Sequence, residues 1–241
     1  MRLPRLMLWK QFFLMCFMCC LGSMLIAGCG IESFIYLEKP QRMAHDPSDL
    51  ADLSQRYCEF TTADTANSVS VGSYFQGTEI YYRIYERKDD CENDKNQISQ
   101  YNEDNPFTAA EYLEKTKKYY RLTTNQTSLR PLIGLQGSDA TIRFRLQDYG
   151  SPISDPAQLT VNSTSKGVPQ RDISILSSDK HAFNKDTIGV GDDDVQPSSV
   201  SGGTEEYWCV NFYAVSYGYT TTSSTIRSAL ESLGYIFIKK S

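Results

Sequence analysis

Histidine and tryptophan are nearly absent from this chain, with two of each among 241 residues. Two imidazoles, at His45 and His181, are too few for a histidine-based metal cluster. Neither the G-x-S-x-G elbow of serine hydrolases nor the H-E-x-x-H pair of zinc proteases occurs. Positive charge is also in deficit, with 24 Lys and Arg against 29 Asp and Glu. Setting aside Arg2, Arg5 and Lys10, which fall in the amino-terminal segment treated next, leaves 21 basic residues and a net charge of −8. Such a chain lacks the basic footprint that nucleic-acid binding or a polybasic membrane anchor requires. No internal repeat is visible.

The amino terminus is what the sequence does supply clearly. MRLPRLMLWK carries its cations ahead of Gln11–Gly28, a stretch without charge, and this is the layout of a secretory signal. The run is near the lower limit of about 17 residues for a membrane-spanning helix, so an uncleaved span is the competing reading. Ile26-Ala27-Gly28-Cys29, preceded by Leu25, resembles the lipobox of bacterial lipoproteins. That resemblance implies cleavage before Cys29, a thioether lipid on its thiol and acylation of its amino group. Two or more acyl chains give stable anchoring where one is marginal. Gly30 stands where some inner-membrane lipoproteins carry Asp, which points to the outer membrane of a bacterial cell envelope. Residues 29–50, with Pro40 and Pro47, read as a polar tether.

Of seven cysteines, Cys16, Cys19 and Cys20 leave with the signal and Cys29 takes the lipid, which leaves Cys58, Cys91 and Cys209. The CxxC spacing of Cys16 and Cys19 lies in the apolar run, where a redox or metal role is not expected. Export permits one disulfide. Cys58–Cys91 is the preferred pair because Cys91 sits in a polar stretch that can fold back; three free thiols are the equal alternative. None of the three is close enough in sequence to another to suggest zinc.

The remaining residues, 51–241, read as a single β-rich domain. Thr78–Arg87 alternates, with Ile80, Tyr82 and Ile84 on one face and Glu79, Tyr81, Arg83, Tyr85 and Arg87 on the other. Glu206–Tyr219 alternates too, with Trp208, Val210, Phe212 and Ala214 inward and Tyr207, Cys209, Asn211 and Tyr213 outward. Period two marks half-buried strands. Weaker strands are expected at 55–62, 119–123, 140–147, 158–162, 173–176 and 235–239. A capping box at Thr108 and Glu111 predicts a helix over 109–118. The stripe Ile226, Ala229, Leu230 and Leu233, followed by Gly234, predicts a second over 225–233. Residues 93–105, 164–171 and 177–203 are polar and read as surface loops.

GTEIYYRIYER resembles the third strand of a fibronectin type III-like sandwich, EYWCVNFYAVSYGYTTTSS its sixth strand, and Tyr235–Ile238 its seventh. The resemblance implies an antiparallel, immunoglobulin-like β-sandwich in which 88–205 is a large insertion. An unrelated mixed β domain is the alternative.

No residue set demands catalysis, a metal or a cofactor. His181, after Ser178, Asp179 and Lys180, reads as a solvated loop residue rather than a base. Gly189-Val190-Gly191 runs into Asp192, Asp193 and Asp194, whose charges would repel phosphate. That acidic run reads as a solvated loop ahead of a calcium site, as do Asp89, Asp90, Glu92 and Asp94. Outward Tyr81, Tyr85, Tyr207 and Tyr213 could form a stacking platform for a glycan or protein, with cross-strand pairing as the plainer account. The expected function is that of a non-enzymatic, membrane-anchored envelope protein; an envelope hydrolase with an unrecognised site is the alternative.

Overall fold

A computed structural model describes residues 35–48, 52–148, 156–173, 181–200, 205–220, 222 and 224–240. Among these the protein is mainly β, with thirteen strands in two sheets and three α-helices. The first sheet places β1 (Gln41–Arg42), β2 (Cys58–Thr61), β6 (Thr141–Arg145), β7 (Gln158–Val161) and β8 (Thr164–Ser165) side by side, all antiparallel. The second is built on β3 (Phe75–Tyr85) and β11 (Tyr207–Tyr219), paired antiparallel along most of their length. On its far edge β11 holds β12 (Thr225–Arg227) and β13 (Glu231–Lys239). On its own far edge β3 holds β5 (Ile133–Gly134), β4 (Tyr120–Thr124) and β10 (Val195–Gln196), and β9 (Pro169–Arg171) pairs with β4. Among the described residues only the β10–β3 pairing is parallel.

The two sheets face each other across one core. Phe60, Ile142, Phe144 and Leu159 of the first sheet meet Ile80, Tyr82, Ile84, Val210, Phe212 and Ile236 of the second. The Phe144 and Phe212 rings cross edge to face at 5.1 Å, a favourable quadrupole arrangement. The inward faces expected for β3 and β11 are thus the inward faces, and the β-sandwich expectation holds.

The other face of the second sheet is covered as well. α1 (Asp64–Ser70) lies between β2 and β3, while α2 (Lys88–Asp104) and α3 (Ala109–Lys115) close over β3 and β11. α2 replaces the loop expected over 93–105. Its buried stripe is Cys91, Asp94 and Ile98, so only one large aliphatic residue marks the helical period. Its first turn carries Asp89 and Asp90, which suit the positive end of a helix dipole. α3 confirms the helix expected from Thr108, though the Thr108 side chain makes no capping bond.

The helix expected over 225–233 does not form: β12 and β13 occupy that stretch. Leu230 and Leu233 are buried by sheet packing, which happens to share the helical spacing. Gly234, expected as a helix stop, takes φ +86° beside a register shift between β11 and β13, the backbone a β-bulge requires. The segment expected as a tether is also corrected. Leu37 is buried, β1 pairs with β2, and Lys39 bonds Glu231, so residues 37–42 belong to the domain. The stretch 88–205, expected as an insertion within the domain, supplies two helices and strands to both sheets.

Candidate functional site

The tyrosine platform is not a surface. Tyr81 and Tyr85 are fully buried, Tyr213 is nearly so, and Tyr207 packs half-buried against the same cluster. Tyr213 stands opposite Tyr81 across the strands, while Tyr85 faces Cys209, and α2 and α3 lie over them. Sequence alternation distinguishes two faces of a strand; it does not say whether the second face meets water or a helix.

A buried charge array takes the place of that platform. Glu79, on β3 beside Tyr81, has a side chain only 2% exposed. Arg130 grips it with two nitrogens, Nε to Oε1 and Nη2 to Oε2 at 3.1 Å, in the fork geometry that favours arginine for carboxylates. The Tyr81 hydroxyl lies 2.6 Å from Glu79 Oε2 and 2.9 Å from Glu114 Oε1 on α3, and accepts from Arg130 Nη2 at 3.2 Å. Arg227, on β12, pairs with Glu114 at 2.7 Å and approaches Glu79 at 3.9 Å. Two guanidiniums therefore balance two carboxylates around one phenol. The Arg130 guanidinium also stacks 4.7 Å above the Tyr217 ring.

Electrostatics follow from this packing. Burial first, then the Glu79 charge, pushes the Tyr81 hydroxyl well above the ordinary tyrosine range. Burial pulls Arg130 down, but hydrogen bonds and charge from Glu79 outweigh it and hold the guanidinium above its ordinary value. Burial and the Tyr219 hydrogen bond push Tyr217 up to about 12.

The array opens onto a cleft of about 270 Å³ lined by Phe107, Ala110, Glu111, Glu114, Lys115, Thr225 and Arg227. Glu114 and Arg227 present one fixed charge of each sign at its wall, beside an exposed aromatic ring, Phe107, which meets Tyr36 edge to face at 6.0 Å. Convergent polar groups next to apolar surface are what a small binding site requires.

No family model, curated protein or solved structure matches this chain. The arrangement of its own residues therefore carries the functional reading.

The remaining expected sites fall as follows. Ile26, Ala27, Gly28 and Cys29 lie outside the described residues. His45 is built into the fold: its ring stacks on Tyr57 at 3.9 Å and its Nε2 lies 2.7 Å from the Gln55 carbonyl. His181 is half-buried, with Nδ1 2.8 Å from the Arg171 carbonyl, and it lines neither the Arg227 cleft nor the one beside Arg143. The Asp192–Asp194 run is not simply solvated. Asp193 is exposed, but Asp192 and Asp194 clasp the fully buried Arg171, and the Tyr82 hydroxyl donates to Asp194 at 2.7 Å. The second acidic cluster is divided as well. Asp94 is buried against the Tyr85 hydroxyl and Lys117, and Glu92 accepts from Tyr235. No group of three acidic, cysteine or histidine side chains among the described residues is arranged to hold a metal.

The expected Cys58–Cys91 pair is separated by the second sheet. Cys58 lies in the core between the sheets, whereas Cys91, in the first turn of α2, and Cys209, beneath that helix, lie on the other side, and all three are free thiols in the structure. Sequence reading also missed Glu79, Glu114, Arg130 and Arg227 as a group. The one usable signal was Glu79 within a strand that proved buried on both faces, because a buried carboxylate needs cations. Its partner Arg130 stands 51 positions away.

Proposed function

We propose that this chain is a lipid-anchored bacterial envelope protein whose domain binds a protein or glycan partner and does not turn over a substrate. The observation that carries this reading is Ile26-Ala27-Gly28-Cys29 following a charged start and the uncharged stretch Gln11–Gly28. Cys29 takes the lipid, and Gly30 directs the anchor to the outer membrane. Among the described residues no helix is long and apolar enough to cross a membrane. A strand order of β3, β11 and β13 side by side supports a fibronectin type III-like organisation of the domain. For binding, the support is the cleft at Arg227, Glu114 and Phe107, where two charges are held in place by buried partners and incur little ordering cost when a ligand arrives.

Mass measurement of the mature amino terminus tests the anchor. A chain beginning at a diacylglyceryl Cys29 is expected, and Cys29→Ser should remain unprocessed and lose its lipid. A full-length chain with an unmodified Cys29 overturns the reading. The binding half is tested by adding envelope glycan and protein fractions to the purified protein and to Phe107→Asp. Binding that is lost in the variant supports the cleft, and equal retention by both proteins excludes it.

A further inference from the structure

Three cysteines remain after the lipidation motif, and the fold divides them. Cys58 lies between the two sheets, with its sulfur 3.8 Å from the Leu233 carbonyl. Cys91 and Cys209 lie on the opposite side of the second sheet, both wholly shielded from solvent, in one cluster. All three are free thiols in this structure, and Cys91 and Cys209 are the two that share a cluster.

The chain path explains why these two lie together. Cys209 on β11 stands opposite Tyr85, the last residue of β3. α2 begins three residues later and turns back over the sheet, so Cys91 in its first turn is carried over the strand that holds Cys209. An independent tie fixes the register: Glu92, the next residue of α2, accepts from the Tyr235 hydroxyl at 3.0 Å, and Tyr235 lies on β13 two residues before Phe237, the partner of Cys209. The helix cannot slide without breaking that bond.

We propose that Cys91 and Cys209 form a disulfide in the exported protein, with Cys58 remaining a thiol. The proposal rests on the export reading above. In the reaction one sulfur–sulfur bond forms as the two thiols lose two protons and two electrons. A disulfide oxidant of the envelope, protein or small molecule, accepts the electrons and is reduced to two thiols by exchange through a mixed disulfide. Burial, and then the Cys91 contact, raises the Cys209 thiol, so little thiolate exists once α2 is docked. Once formed, the bond is shielded from solvent beneath α2. The bond would tie the first turn of α2 to the central strand and hold the helical layer on the sheet.

The test has two arms. In the first, protein isolated from the producing cells is alkylated under denaturing, non-reducing conditions, digested and mapped by mass. A Cys91–Cys209 cross-linked peptide with alkylated Cys58 is expected. Reduction should lower the melting temperature by roughly 5–15 °C, a shift absent from Cys91→Ser/Cys209→Ser. Free thiols at both positions, or a bond to Cys58, overturn the proposal. In the second arm, reduced and unfolded full chain is refolded with a mixture of reduced and oxidised glutathione. If cells yield free thiols while refolding yields the cross-link, the export reading has failed and the geometry has not. If refolding yields no such bond, the geometry itself is wrong.

Discussion

Arg171 and Asp194 meet inside the protein with neither side chain reached by solvent. Nε donates to Oδ2 at 2.8 Å, Nη2 donates to Oδ1, and Nη1 donates to the Thr187 carbonyl at 2.7 Å. Tyr82 reaches the same carboxylate from the inter-sheet core, and its hydroxyl in turn accepts from the Asp172 amide at 3.1 Å. One ion pair thus binds the 187–194 stretch to β9 and β3. Arg171 stays protonated because the bonds and charge of Asp194 outweigh the effect of burial.

Removing Arg171 leaves the Asp194 carboxylate buried without its cation, so Arg171→Met should cost about 3–5 kcal/mol in urea unfolding. Asp194→Asn should cost less, about 2 kcal/mol, because Asp192 still pairs with Arg171 at 2.6 Å. The double replacement Arg171→Met/Asp194→Leu removes both charges and should recover much of the loss. A single-variant effect below about 1 kcal/mol would show that the pair does not form.

Sequence patterning located the two long central strands because Ile80, Tyr82 and Ile84 in one, and Trp208, Val210 and Phe212 in the other, repeat at period two against a single core. It failed where burial was not aliphatic. α2 hides Cys91, Asp94 and Ile98, a stripe whose polar member is neutralised by Tyr85 and Lys117, so its period was invisible to hydrophobicity. It failed again at 226–233, where Ile226, Ala229, Leu230 and Leu233 satisfy a helical template while tertiary pairing with β11 extends the backbone. The charge array around Glu79 was illegible for another reason: Arg130 and Arg227 reach it only through long-range packing.

Alkaline pH should unfold the protein steeply. Tyr81, Tyr82, Tyr85, Tyr119 and Tyr213 are all held above the ordinary value chiefly by burial, and Tyr217 is pushed up to about 12. From about pH 10 the unfolded chain ionises these phenols while the folded chain does not, so the unfolded state binds fewer protons and stability falls as pH rises. Each such tyrosine adds a slope of about 1.4 kcal/mol per pH unit. Phenolate absorbance should therefore rise together with the loss of circular dichroism. Ionisation of most tyrosines before any loss of structure would contradict the burial.

Gly77 and Gly137 both take positive φ, but only one is enclosed. A Cβ on Gly77 would stand 2.1 Å from the Ile133 carbonyl, against the β5 backbone, at φ +143°. On exposed Gly137, at φ +80°, it would meet nothing within 4 Å. Gly77→Ala should cost at least about 3 kcal/mol, through strain and forced separation of β3 from β5, and Gly137→Ala about 1 kcal/mol. Equal unfolding midpoints for the two variants would be incompatible with this packing.

The charge array should respond in proportion to burial. Glu79 is 2% exposed and bonds Arg130 and Tyr81, whereas Glu114 is 26% exposed at the cleft. Glu79→Gln leaves Arg130 and Arg227 facing a single carboxylate and points an amide at a guanidinium. A loss of about 3–5 kcal/mol is expected. Solvent screens Glu114, so Glu114→Gln should cost no more than about 1 kcal/mol. Pairing Glu79→Gln with Arg130→Met restores charge balance and should return part of the loss, because the two side chains touch and their effects are not additive. Urea unfolding of the four proteins decides the matter: a Glu114 variant less stable than the Glu79 variant would invert the order of burial on which the array depends.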